Sequence, residues 1–311
     1  MRKTGGVCLM SVLLLTPVSS FIPGRDQQTE PKVSADENAA RLKELLGRTG
    51  ERVRKFQEDL FSLKWTRVYS GQRLNADLTP KGRPVESVAE WIVLRPSVPD
   101  GRDKALPVAV IEVKSVDGKA PKGKNVGPST YSHPLEFHHP LVFLSPEKQA
   151  EWDFSWEGEK DLRGSKTVVI TATPAVVTEP TSKIKGRSFY VQGLRQRARV
   201  WIDPQSCDVL QVEWRLLDTF RFKIEFGLNW YGPFFVARPG REVEFEKMDN
   251  TIRFAPITFK DPDQILMLPV FEEYMHVIRG ARRSPAYRST VSYIDYKRFV
   301  TDVKVKTPDQ N

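Results

Sequence analysis

The chain has little of the chemistry that usually marks an enzyme: of its 311 residues only 2 are cysteine and 4 are histidine. Cys8 lies in the apolar stretch at the start, so Cys207 is the only thiol that an exported, processed chain would keep. No internal disulfide can form, even in an oxidising compartment. Stability must then come from a packed core, and a chain of this size can bury enough apolar surface for one large or two modest domains. Three of the histidines, His133, His138 and His139, sit near Glu136. On a helix His133, Glu136 and His139 would share a side and His138 would not. No cysteine joins them, and Pro134 and Pro140 disturb the geometry, so surface or helix-packing histidines fit better than a metal site. His276 stands in a strand-like run with no recognisable partner and reads as structural.

Other signatures fail on inspection. Gly118, Gly123 and Lys124 match the spacing of a phosphate loop, but Asn125 stands where Ser or Thr is needed. Pro121 and Pro128 also forbid the helix whose N-terminus would hold the phosphate. Gly127-Pro128-Ser129 lacks the second glycine of a hydrolase elbow. Glu272 and Glu273 are adjacent in a strand and face opposite ways, which removes them as a catalytic pair. No catalytic residue, cofactor or metal is expected.

What is present begins with an export signal. Arg2 and Lys3 precede a mostly apolar stretch from Val7 to Val18, and Val18, Ser19 and Ser20 offer a small-residue cleavage site. A retained anchor would need about 20 apolar residues, and Thr16 and Pro17 interrupt this run. Residues 1–20 therefore read as a cleavable signal, which places the mature protein in the periplasm or outside the cell. Losing Arg2 and Lys3 and no acid takes the net charge from +9 to +7. Such a basic balance can indicate nucleic acid, but here Lys and Arg are interleaved with Asp and Glu, as on a solvated face, and no nucleic-acid partner is expected.

Residues 21–35 are polar and contain proline, as in a disordered spacer. Ser34 then precedes Glu37 at capping-box spacing. Leu42, Leu45, Leu46, Val53, Phe56 and Leu60 follow along one stripe of a long amphipathic helix. Gly47 and Gly50 weaken its middle by about 1 kcal/mol each relative to Ala, which marks the place for a kink or break. That stripe suits a membrane surface or a partner helix, but packing on the chain's own sheet is the commoner arrangement.

Beyond Phe61 the pattern is of short β-branched and aromatic runs between turn signals. Strands are expected at 64–73, 87–94, 108–116, 151–157, 167–172, 197–202, 209–216, 219–230, 241–246, 251–256, 265–278 and 289–305. Asp117-Gly118, Asp203-Pro204 and Arg163-Gly164-Ser165 supply hairpin turns, so the sheet should be an antiparallel meander. Pro134 to Gln149 reads as one short inserted helix, and 119–132 and 178–187 as long mobile loops. The fold class is mainly β: a large curved antiparallel sheet, or half-barrel, with a long N-terminal amphipathic helix, forming a single domain over 36–311.

One segment alternates without fault. Phe220, Phe222, Ile224, Phe226, Leu228 and Trp230 fall on one side, with Arg221, Lys223, Glu225, Gly227 and Asn229 on the other. Trp152, Phe154 and Trp156 share a face, as do Val212, Trp214 and Leu216. A sheet with one apolar face must cover a helix, another sheet or an apolar ligand, and core packing is the simplest use of any single aromatic among them.

Two stretches carry a resemblance. Gln196 to Trp214 has the strand, Asp-Pro turn, strand unit, and Ser289 to Phe299 the closing strand with its Tyr and Arg-Phe. With the signal and leading helix, they resemble the LolA-like half-barrel family of periplasmic lipoprotein-sorting and lipid-carrier proteins, over Ala39 to Val305. The resemblance implies a concave sheet whose apolar inner face takes acyl chains while helices act as a lid. Burying acyl carbon is worth about 0.8 kcal/mol per methylene, so a lipid chain could bind without any specific polar contact. On this reading Phe220, Phe222, Ile224, Phe226, Leu228 and Trp230 form the apolar wall, and the partners are lipid or lipoprotein acyl chains. Arg279, Arg282, Arg283 and Arg288, around a turn, become candidates for a head group or an acidic membrane surface, although a solvated basic turn is the commoner explanation of such a run. The alternative is an envelope interaction or scaffold protein whose sheet is filled by its own side chains.

Overall fold

The computed structural model describes residues 35–59, 63–94, 108–121, 129–131, 140–178, 181–185, 188–192, 195–223, 228–229, 236–237, 242–260, 263–280 and 286–298. The signal, the spacer up to Ser34 and the cluster from His133 to His139 lie outside the described residues, and Ala35, the last residue of the expected spacer, is the first of the helix.

One helix, α1 (Ala35–Asp59), leads into β1 (Leu63–Leu74), β2 (Val85–Leu94), β3 (Val108–Val116) and β4 (Ser129–Tyr131). Then come β5 (Trp152–Leu162), β6 (Ser165–Pro174), β7 (Thr181–Lys185), β8 (Ser188–Gln192), β9 (Gln196–Ile202) and β10 (Val209–Leu216). The chain continues through β11 (Phe220–Lys223), β12 (Leu228–Asn229), β13 (Val236–Ala237), β14 (Glu242–Lys260), β15 (Asp263–Arg279) and β16 (Ala286–Arg298). Twelve strands form one open antiparallel sheet in the order β4-β3-β2-β1-β16-β15-β14-β10-β9-β6-β5, with β11 also on β14. The architecture is that of a half-barrel sheet with one long helix.

Asp117 and Gly118 have φ of 48° and 72°, and Arg163 and Gly164 have 51° and 86°, so both hairpins turn in the left-handed conformation that suits strand twist. At Asp203-Pro204 the Asp203 carboxylate accepts hydrogen bonds from the backbone N–H of Gln205 and Ser206 at 2.8 and 2.9 Å.

Local signals are overridden in three places. The two strands expected at 241–246 and 251–256 are, from Glu242 on, one 19-residue strand, because Lys247 to Asn250, which read as a break, pair with Tyr274 to Val277 of β15. The segment read as an inserted helix forms two single 3-10 turns where described, at Val142–Leu144 and Gln149–Glu151, with Pro146 between them. Both segments read as loops carry strands: within 119–132, Ser129–Tyr131 pairs with Ala109–Ile111 of β3, and within 178–187, Thr181–Lys185 pairs with Ser188–Gln192 as a hairpin.

The helix packs its stripe on one face of the sheet, here called the inner face. Leu45, Leu46 and Val53 join Val168, Ile170, Ala172, Ala198, Val200, Ile202, Val212, Ile252 and Phe254 in one core cluster. Phe56 reaches a second, with Leu63, Trp65, Trp91, Ile111 and Leu268. The helix runs unbroken through its glycines, and Gly50 has a packing reason to be there. A Cβ on it would lie 2.9 Å from the Leu144 carbonyl oxygen and 2.7 Å from Gln149 Nε2. Gln149 fills that contact by donating to the Leu46 and Leu144 carbonyls at 2.9 and 2.7 Å. Gly47 has nothing within 4 Å of the same position. Gly47→Ala should therefore stabilise the protein by about 0.5–1 kcal/mol, whereas Gly50→Ala should destabilise it by about 1–3 kcal/mol despite the same gain in helix propensity. Urea unfolding of the two variants checks the difference in sign.

Candidate functional site

Of the alternating wall at 220–230, the structure places one side chain. Phe220 is buried and stacks on Phe245, ring centroids 5.0 Å apart at 3°. Phe222, Ile224, Phe226, Leu228 and Trp230 have side chains outside the described residues. The strand expected at 219–230 is described as β11 over Phe220–Lys223 and β12 over Leu228–Asn229. Arg221 points away from Phe220 and pairs with Glu244 at 2.7 Å.

The arginine candidates are in part already engaged. Arg279 Nε donates to Glu246 at 2.6 Å, and Arg288 Nε donates to Glu273 at 2.7 Å. Arg282 and Arg283 lie outside the described residues. These pairs belong to a row of ion pairs on the other face of the sheet, including Lys64–Glu90 at 2.7 Å and Arg199–Glu157 at 2.7 Å. Exposed pairs of this kind contribute about 0–1 kcal/mol each, so the row makes a solvated face more than a source of stability. Glu157 stands out: burial alone would raise its carboxyl, but hydrogen bonds from Thr171, Lys160 and Arg199 outweigh it and hold the group down at about 2.

The inner face carries a polar cluster that the sequence did not announce. In register, Arg67 of β1 lies between Ala89 of β2 and Tyr293 of β16, and Tyr69 between Ser87 and Val291. Across β15, Glu272 pairs with Val291, Tyr274 with Ser289 and His276 with Tyr287. Asn250 of β14 pairs with Tyr274. Directly paired residues of an antiparallel sheet point to the same side, so these side chains share the face that α1 packs on. Tyr293 Oη donates to Glu272 at 2.6 Å and Asn250 Nδ2 donates to its other oxygen at 2.9 Å. Burial pushes the Tyr69 phenol up to about 12 against the opposing Arg67 charge. Burial likewise raises Tyr274 and Tyr293, with Glu272 adding to both. Gly71 makes this cluster possible, since a Cβ there would meet Tyr287 Oη at 1.6 Å and Tyr69 Oη at 2.5 Å.

His276 packs its ring on Tyr274 at 4.2 Å and Tyr287 at 5.7 Å, and burial pushes its pKa down to about 4. The unfolded chain titrates near 6.5, so below that pH it takes up a proton that the native state refuses. Stability should fall as pH drops from about 6.5 to about 4, by at most about 3 kcal/mol and by less because the ring is half-buried. Glu157 has a folded pKa below its ordinary 4.5, so its contribution is lost later, as pH falls from 4.5 towards about 2. His276→Gln should flatten the upper window and leave the lower one, as read from denaturant unfolding across pH.

Between α1 and the β14–β15 hairpin is a small, mainly apolar cleft of about 120 Å³, with Arg52, Lys55, Asp59, Asp208 and Gln264 also in its lining. Val53, Phe56, Val209, Phe254, Leu266 and Met267 are among its lining, with Ile265, 65% exposed, at its mouth. The helix end beside it is latched by a closed set of polar contacts. Arg298 pairs with Asp59 at 3.2 Å, Arg298 donates to the Gln264 side-chain oxygen, and Gln264 Nε2 donates to Asp59 at 3.1 Å. Further along α1, Arg48 donates to the Gln205 carbonyl at 2.7 Å and Arg52 to that of Ser206 at 3.2 Å. A larger groove of about 620 Å³ runs between the helix and the β9–β10 turn at Gln205 to Cys207, but Arg48, Glu51, Arg52, Arg54, Lys55 and Glu58 make it charged. Cys207 is buried at the groove's base, where burial raises its thiol pKa and leaves it inert. Among the described residues no group of metal-ligating side chains comes together, and no helix is long and apolar enough to cross a membrane.

No protein-family model and no curated protein matches the sequence. Solved structures do match in fold. One is described as an outer membrane lipoprotein-sorting protein domain from Vibrio parahaemolyticus, 11% identical, covering 82% of this chain and 92% of its own, with a TM-score of 0.40. A DUF1329 family protein from Desulfovibrio piger is 11% identical over 85% and 94%, with a TM-score of 0.36. A LolA superfamily protein from Nitrosomonas europaea is 9% identical over 85% and 97%, with a TM-score of 0.29. At these identities and scores no residue's role passes to this chain, and the functional reading rests on its own geometry.

Proposed function

We propose that this is an exported cell-envelope protein that binds an apolar ligand, a lipid or the acyl chain of a lipoprotein, between α1 and the inner face of its sheet, as a carrier or sensor. The observation that supports this is the apolar cleft under the C-terminal half of α1, beside a helix end held by polar contacts rather than by apolar packing alone. A cavity of comparable size, about 150 Å³, is enough to hold benzene, so the cleft as it stands accepts only the end of an acyl chain. A longer chain requires α1 to lift from the sheet. The rest of the wall, Phe222, Ile224, Phe226, Leu228 and Trp230, and the arginines at 279–288 remain part of the proposal, as further apolar surface and as contacts to an acidic membrane, whereas Phe220 is packed on Phe245. In this reading the first twenty residues direct export, and N-terminal sequencing of protein from the native envelope should begin near Phe21.

A titration of the mature protein with an environment-sensitive fluorescent fatty acid, followed by hydrogen exchange, tests the proposal. Saturable binding with faster exchange in residues 42–59 is expected. A second reading has an observation of its own: Leu45, Leu46 and Val53 already fill the helix-covered half of the face, as in a scaffold whose sheet is packed by its own side chains. Absence of any probe binding, with α1 equally protected throughout, would select that reading.

A further inference from the structure

Arg67 is placed where a soluble protein seldom keeps a cation. It alternates with Trp65 and Tyr69 on the inner face of β1, with its guanidinium 5.7 Å from the Tyr69 ring and 5.3 Å from the Trp91 ring. The side chain is half-buried and therefore reachable, yet its Nε is fully covered and has no hydrogen-bond partner among the described residues. No ion pair to Arg67 occurs among the described residues either, and Glu272 on the same face is already bonded through both oxygens to Tyr293 and Asn250. A covered, unmet guanidinium donor is costly, and the aromatic flanks leave the edge of its fork as the direction from which an acceptor can approach. The groups nearby are donors as well: the Tyr69 hydroxyl in contact with Ser289, and the covered Trp65 Nε1, which lacks a partner among the described residues.

We propose that Arg67 recognises the anionic head group, carboxylate or phosphate, of an amphiphile whose tail lies along the apolar part of the same face. This rests on the apolar-ligand reading above and adds to it the chemical class of the ligand. A bidentate fork on the two terminal nitrogens of the guanidinium orients the ligand, and Trp65, Trp91, Ile111 and Val291 on the same face supply apolar contact next to it. Arg279 and Arg288, already paired with carboxylates, are weaker candidates for this role.

Calorimetric titration of the mature chain with dodecanoate, dodecyl phosphate and dodecanol, which share a tail and differ in head group, tests the assignment. At least one of the two anions should bind about tenfold or more tighter than dodecanol, in keeping with hydrogen bonds to a charged group. The tighter anion indicates whether a fatty acid or a phospholipid is the source. Arg67→Met should reduce the anions to the level of dodecanol and leave dodecanol unchanged, whereas Arg67→Lys should keep part of the preference. Equal binding of all three by the wild type would overturn the head-group assignment and leave the apolar-ligand reading standing. Binding of none would remove both. The wild-type series decides even where Arg67→Met does not fold.

Discussion

Replacing Arg298 by Met should destabilise the protein by about 3–5 kcal/mol, because it removes the cation paired with Asp59 at a site where the two side chains are only 17% and 16% exposed. The loss should be local before it is global. Asp59 ends α1, so hydrogen exchange over the last turns of the helix should accelerate at denaturant concentrations where the sheet is still protected. The paired change Asp59→Leu with Arg298→Met should recover much of the stability, since two apolar groups leave no covered charge. Equal exchange in wild type and Arg298→Met would show that the latch does not hold the helix. If α1 is a lid over an apolar site, Arg298→Met should also raise the on-rate for a lipid probe, because the probe enters when the helix end lifts.

Phe245→Ala should cost about 3–5 kcal/mol, and Phe220→Ala a similar amount, since both rings are buried and stacked face to face. Neither should change the affinity for a fatty-acid probe. A ring that lines an open groove would behave in the opposite way, with a small loss of stability and a clear loss of affinity. Chemical denaturation and probe titration on the same variants separate the two. Phe220 is thus expected to behave as core even though it opens the segment whose alternation first suggested a binding wall. Arg221→Ala, on the solvated side with its partner Glu244, should change stability by less than about 1 kcal/mol.

The sheet was readable from the sequence because one apolar face imposes a period of two. Trp152, Phe154 and Trp156 all lie on the inner face, as their alternation requires, with Val212 and Trp214 on the same side. The helix was readable for the equivalent reason at a period of 3.6, since Leu42, Leu45, Leu46, Val53 and Phe56 all meet the core. The 19-residue β14 was not, because Met248, Asp249 and Asn250 have no strand preference of their own and are held by pairing with β15. The hairpin of β7 and β8 was missed because its five-residue strands follow a proline-containing, polar approach that reads as loop. The polar cluster escaped for a different reason. Residues 266–278 carry apolar side chains on both sides, so nothing in that run shows which face Glu272, Tyr274 and His276 take. Arg67 did leave a sign, an arginine on the aromatic side of Trp65 and Tyr69, but its lack of a partner is visible only once the strands are assembled.

The most direct test of the account is native mass spectrometry of the protein purified gently from its own cell envelope. A mature chain beginning near Phe21 that carries a removable adduct with the mass of an anionic lipid or an acylated peptide is expected. Once stripped, the same protein should regain the adduct on incubation with envelope lipid extract, and Arg67→Met should regain less. A bare, fully folded chain that takes up no lipid under either condition would contradict the account and leave an envelope scaffold whose sheet is filled by its own side chains.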